Sequence, residues 1–229
     1  MRLEVRRLSS WYGQARALWD IDLTVEEGQV VGVLGRNGAG KSTLLRAIAG
    51  LSPRMTGDVL VGERSIAGQP AHGIALAGVS LLREAGRLTA SLSVAENIAL
   101  ARRLAVARKR PVRTLPEILA WFPLLEPLVD RKAGLLSGGQ RQALGLAMAF
   151  ASQPSLLLLD EPSAGLAPLV ARELYDTIRQ LAGSGITVLV VEQHPAWLSE
   201  LVQRAYHLEM GRVTGSGGLD EITAAIREG

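Results

Sequence analysis

Residues 35–42 read Gly35-Arg36-Asn37-Gly38-Ala39-Gly40-Lys41-Ser42, a complete G-x-x-x-x-G-K-[ST] string that directly follows the apolar run Val30-Val31-Gly32-Val33-Leu34. Few strings restrict a fold so tightly, because they require a strand, a glycine-rich turn and a helix in immediate succession. The flanks meet that requirement: the apolar run suits a buried strand, and residues 41–49 carry Leu44, Leu45 and Ile48 at helical spacing. Glycines let the turn aim its N–H groups inward, and the start of the helix adds its positive dipole end. A polyphosphate is the natural guest. At average residue usage such a string arises by accident in roughly one chain of this size in a hundred. The chain has three lysines against 22 arginines, and one of the three is Lys41. An ammonium is the compact charge that such a loop places on β- and γ-phosphates.

The remaining composition sets outer bounds. With 229 residues, 48% of them hydrophobic, the chain can bury a substantial core and reads as one domain with a subdomain inserted. The absence of cysteine excludes disulfides, thiolate metal sites and cysteine nucleophiles. Residues 1–7 alternate like a strand and lack a secretory apolar stretch, and no apolar run reaches the roughly 18–20 residues that cross a bilayer. A soluble, intracellular protein is expected. A net charge of +3 does not by itself indicate a nucleic-acid partner. Arg102, Arg103, Arg108, Lys109, Arg110 and Arg113 form the densest basic stretch, read first as a solvated helix and second as a surface for nucleic acid or anionic lipid. Aromatic residues make up only 4%, so no stacking platform for single-stranded nucleic acid is visible.

The hydrophobic pattern predicts an α/β protein. Residues 1–7 and 21–25 alternate as antiparallel strands, with Trp11 and Tyr12 in the loop between them. Strands are expected at 58–61 and 79–82 and a short helix at 71–77. Residues 84–153 change to helical spacing, at 94–107 and 141–151, punctuated by Pro111, Pro116, Pro123 and Pro127. Alternation then resumes: strand 155–159, helix 168–181, strand 186–191, a short helix near 195–202, a hairpin at 205–209 and 212–214, and a C-terminal helix. Such alternation gives a parallel sheet covered by helices.

Two more elements narrow the chemistry. Leu156-Leu157-Leu158-Leu159-Asp160-Glu161 delivers two carboxylates to the C-terminal end of a buried strand, where ligands sit in open α/β sheets. Asp160 is assigned to Mg²⁺ together with the Ser42 hydroxyl, and Glu161 to the attacking water. Leu136-Ser137-Gly138-Gly139-Gln140 opens a helix, with Ser137 as N-cap and Gln140 completing a capping box. Adjacent glycines exceed what a cap needs, and they expose a helix N-terminus to phosphate. One nucleotide cannot readily use both anion sites of one chain, whereas two chains facing each other can.

With these residues in place the chain resembles the nucleotide-binding subunit of an ATP-binding cassette (ABC) transporter over essentially its whole length. Residues 35–42 match Walker A, 136–140 the signature and 156–161 Walker B. The resemblance implies a P-loop NTPase core with a parallel sheet, an N-terminal antiparallel β-subdomain and an inserted α-helical subdomain, with 1–83 and 154–229 as the core and about 84–153 as the insert. It implies head-to-tail pairing, with ATP held by Gly35 to Thr43 of one subunit and Ser137, Gly138, Gly139 and Gln140 of the other. Tyr12 matches the aromatic that stacks on adenine, and Ser163-Ala164-Gly165-Leu166 the segment that crosses the interface. The strings 161–168, 92–97 and 191–193 resemble the ATPase subunits of branched-chain amino acid importers. That likeness implies permease subunits, a second ABC ATPase subunit (a copy or a related chain, the importers favouring the latter), indirect work with a solute-binding protein, a place on the cytoplasmic face of the membrane, and no nucleic acid.

Three positions depart from the wider pattern. Glu84 stands where a Mg²⁺-sensing glutamine is usual; the amino acid importer group also uses glutamate there, and a carboxylate still suits the metal. Gln193 occupies the place of the switch histidine, with His194 one residue later; glutamine donates a hydrogen bond but carries no charge. Met148 stands where an arginine is common. Two further readings follow: a soluble ABC-type ATPase acting on nucleic acid or ribosomes, supported by the basic stretch, and a nucleotide switch that does not hydrolyse, suggested by Gln193 and opposed by Glu161.

Overall fold

The computed structural model describes residues 1–83 and 88–228. Alternating residues at the start pair as β1 (Leu3–Tyr12) and β2 (Ala15–Val25), an antiparallel hairpin with Leu3 opposite Val25 and Tyr12 opposite Ala15. After β3 (Val30–Leu34) and α1 (Lys41–Ile48), the chain returns as β4 (Arg54–Val61) on the other side of β1, with the two-residue β5 (Arg64–Ser65) at the edge. Trp11 and Tyr12 therefore end a strand and are not in a loop, a correction to the sequence reading. The pairs Trp11–Arg16 and Trp11–Arg54 carry the ladder past the alternating segment, and aromatic residues suit such a pleated surface.

The second sheet follows from the remaining elements: α2 (Ala71–Leu76), β6 (Val79–Leu82), α3 (Val94–Ala107), α4 (Leu115–Leu119), α5 (Gly138–Ala151), β7 (Leu156–Asp160), α6 (Pro168–Gly183), β8 (Thr187–Glu192), β9 (Arg204–Glu209), β10 (Arg212–Gly218) and α7 (Leu219–Glu228). Its order is β10-β9-β3-β8-β7-β6, parallel except for the β10 edge. Strands β7 and β8 are buried along their whole length, so their side chains alternate between two cores. Leu157, Leu159, Val188 and Val190 join Ile98, Phe150 and Ile178 on the helical side. Leu156, Leu158, Leu189 and Val191 join Leu44, Leu45 and Ile48 on the side of the N-terminal sheet.

The basic stretch is partly absorbed by the fold. Arg108, at the C-cap of α3, donates to the carbonyl oxygens of Ala75, Val79 and Ser152 and to the hydroxyls of Ser80 and Ser152. Burial lowers its pKa to about 10, and it stays charged at neutral pH. Arg113 lies 3.9 Å from the centre of the Phe150 ring. The solvated-helix expectation fails at these two residues. Truncation of Arg108 strands several carbonyls at once, so Arg108→Ala should lose about 3 kcal/mol of stability, read as a lower urea midpoint. A midpoint equal to the parent's would mean that water replaces the clamp. The tryptophans are likewise engaged: Arg16 lies over Trp11 and Trp19, Arg54 over Trp11 and Arg212 over Trp19.

Candidate active site

Strand order places the site. β3, β8 and β7 are parallel neighbours, so their C-terminal ends share one edge, with Leu34 paired to Glu192 and Asp160 to Val191. The loop leaving β3 turns into α1 at Gly40, whose φ of 109° favours glycine and whose missing side chain admits Leu18 and the Gly211 backbone beside it. A cavity of about 250 Å³ opens there, lined by Asn37, Gly38, Gly40, Lys41, Ser42, Thr43, Asp160 and Glu161. Residues from two motifs 118 positions apart thus form one polar cleft.

Within it, the buried Lys41 Nζ donates to the carbonyl oxygens of Gly35 at 2.7 Å and Arg36 at 3.0 Å, and pairs with Glu161 Oε1 at 3.0 Å. Ser42 Oγ donates to Asp160 Oδ1 at 2.8 Å. Glu161 has a φ of 44°, in the left-handed region a non-glycine residue seldom adopts, at a cost on the order of 1–3 kcal/mol. Its N–H donates to Val191 O, which ties the start of that turn to β8. Strain at a carboxylate in a cleft is consistent with a functional demand on its position.

Ser137 caps α5 with a complete capping box to Gln140. None of Ser137, Gly138, Gly139 or Gln140 lines the cleft. The two glycines differ. A Cβ on Gly139 would lie 2.5 Å from Val170 Cγ1, so packing of α5 on α6 already requires that glycine, whereas one on Gly138 meets nothing within 4 Å. Gly139 thus has a packing reason beside the access to phosphate expected of both glycines. Tyr12 is exposed at the hairpin end, with Arg46 Nη1 donating to its hydroxyl at 3.5 Å. Gln193 and His194 are exposed just beyond β8. Glu84 lies outside the described residues.

Sequence reasoning missed one cluster. Glu192, 2% exposed, accepts from Ser163 N–H, Ser163 Oγ–H and Tyr175 O–H at one carboxylate oxygen and from Gln193 N–H at the other. Burial and the charge of Glu192 push the Tyr175 hydroxyl pKa upward, so it stays protonated and donates. The signal was present as an acid closing the apolar run 188–191.

The family model described as ABC transporter matches residues 18–164. The chain belongs to the ABC transporter family. It is 36% identical over 211 residues to the high-affinity branched-chain amino acid transport ATP-binding protein BraG of Pseudomonas aeruginosa, covering 92% of this chain and 90% of that one. It is 32% identical over 223 residues to the lipopolysaccharide export system ATP-binding protein LptB of Escherichia coli K12, covering 96% and 92%. Its fold matches a solved nucleotide-free ATP-binding cassette from an ABC transporter with a TM-score of 0.84 and 25% identity, over 99% of this chain and 96% of that one. The chain is an ABC transporter ATP-binding subunit and an ATPase. Among the described residues no helix is long and apolar enough to cross a membrane.

Proposed function

We propose that this ABC ATPase powers import of branched-chain or similar amino acids. The single observation that carries the ATPase part is the cleft in which Lys41, Ser42, Asp160 and Glu161 converge. The solute class rests on the likeness to BraG and on the strings 161–168 and 191–193. The likeness to LptB makes export the second reading.

The roles of Lys41, Ser42, Asp160 and Glu161 are supported by their present contacts. Asn37, Gly38, Ala39, Gly40 and Thr43 supply the turn and its N–H groups. Lys41 exchanges Glu161 for the β- and γ-phosphates. Tyr12 meets the adenine. The Ser42 hydroxyl and Asp160 carboxylate are oxygen donors in mutual contact on one cleft wall, which suits a small hard cation that also takes water and substrate oxygens. Among the described residues no group of three or more His, Cys, Asp or Glu could hold a metal alone, in keeping with a Mg²⁺ shared with phosphate. Bound there, Mg²⁺ would supply positive charge opposite the phosphate oxygens. Once released from Lys41, Glu161 orients a water and takes its proton as the water oxygen bonds to the γ-phosphorus and the bond to ADP breaks. Gln193 donates a hydrogen bond at the γ-phosphate edge, with His194 the neighbouring candidate.

Ser137, Gly138, Gly139 and Gln140 serve the nucleotide of a second subunit, head to tail, a reading supported by their absence from this chain's own cleft. Residues 1–83 and 154–229 form the core and 84–153 the helical subdomain, in line with every named strand lying outside 84–153. Permease subunits dock beside that subdomain at the inner face of the membrane, where a groove of about 270 Å³ is lined by Val79, Leu82, Leu88, Leu104, Met148 and Ala149. A cell lacking this chain should lose uptake of labelled leucine and regain it with the parent chain only. Unchanged leucine, isoleucine and valine uptake would overturn the solute assignment and favour export.

A further inference from the structure

The buried carboxylate of Glu192 is not explained by packing. A strand end paired with the buried Leu34 could close with an apolar residue, and a buried carboxylate is tolerated only when its lone pairs are met. Among the described residues no cation pairs with Glu192. Its donors come instead from the segments that leave the neighbouring strands β7 and β8 and from α6. Ser163 stands two residues after Glu161, on the segment leaving β7, and donates through both its N–H and its hydroxyl at 3.3 and 2.8 Å. Gln193 donates its N–H at 3.2 Å from the segment leaving β8. Tyr175, from α6, completes the shell at 2.5 Å and stacks on Trp197 on its other side. With Glu161 N–H on Val191 O, the exits of β7 and β8 are tied twice.

We infer that Glu192 is a positioning residue for ATP hydrolysis, holding the Glu161–Ser163 turn and Gln193 in one fixed relation. The inference rests on the roles proposed above for Glu161 and Gln193. A carboxylate suits this task because all four of its contacts are donors. Glutamine in its place can be accommodated by the two hydroxyls, which can turn to accept, but an amide nitrogen can face neither backbone N–H. The turn and the switch position then lose their common anchor while the phosphate-binding loop, held by β3 and α1, is untouched.

The test measures MgATP hydrolysis, MgATP affinity and amide hydrogen exchange in the full chain. Glu192→Gln should lower kcat tenfold or more with the Kd for MgATP within twofold. Ser163→Ala, which leaves its own N–H in place, should speed exchange of the Gln193 amide fivefold or more although it sits on another element. Tyr175→Phe should do the same more weakly. A kcat within twofold of the parent in Glu192→Gln, with Glu161→Gln stalled, overturns the inference and leaves the site assignment standing; if Glu161→Gln also turns over freely, the assignment itself fails. A parallel fall of kcat, affinity and thermal midpoint would reduce Glu192 to a structural role. Should Glu192→Gln not fold, unchanged Gln193 exchange in Ser163→Ala is the overturning result.

Discussion

Lys41→Ala should abolish productive MgATP binding. The ammonium is buried, donating to the two loop carbonyls of Gly35 and Arg36 and with Glu161 as its only ion-pair partner among the described residues. Phosphate oxygens replace that carboxylate on binding, and charge-assisted hydrogen bonds of this kind contribute about 1.5–3 kcal/mol each. The one N–H that Glu161 gives up forms one such bond, which corresponds to a factor of about ten to a hundred in affinity. Alanine also leaves Glu161 facing the incoming γ-phosphate with no cation between them, which adds repulsion to the loss. Calorimetric titration with MgATP reads this directly, and a Kd within tenfold of the parent's would remove Lys41 from the phosphate site.

Glu161→Gln should bind MgATP at least as tightly as the parent and hydrolyse it a hundredfold or more slowly, the scale for loss of a general base. The amide keeps the shape of the side chain and its place on a turn with positive φ. It cannot take a proton from water, and it no longer pairs with Lys41 as a charge. Stalled hydrolysis should hold a nucleotide sandwich together long enough to weigh. An ATP-dependent doubling of solution mass would establish pairing of this chain with itself. A persistent ATP-bound monomer would point to a different partner subunit. Near-parental turnover would show that another group activates the water.

Much of the site was legible because its motifs are local. The loop, its strand and its helix lie within 20 consecutive residues, and the capping box of Ser137 and Gln140 needs only one turn of helix. The acid pair at 160–161 was legible for the same reason, as a polar stop to a run of four leucines. What escaped depends on elements that meet only after folding. The Glu192 cluster joins residues 29 and 17 positions apart on three elements. Arg108 reaches α2, β6 and the end of α5, so a basic letter in a helical stretch turned out to be a clamp. Gly139 has a packing reason that only the contact with Val170 reveals. Trp11 and Tyr12 extend a strand because partners lie on both sides of β1, which no single segment announces.

The ion pair between Lys41 and Glu161 bears on which anions the resting cleft admits. A tethered carboxylate competes for the ammonium as though present at millimolar concentration or above. Small anions such as chloride or inorganic phosphate, at comparable concentrations and with few points of attachment, gain little by displacing it. A nucleoside triphosphate engages the loop N–H groups and the ammonium together, and so outcompetes the internal rival. The resting site is therefore plugged by Glu161, the carboxylate proposed to act on water, and on that proposal it is freed only when a ligand rich enough in phosphate has taken its seat.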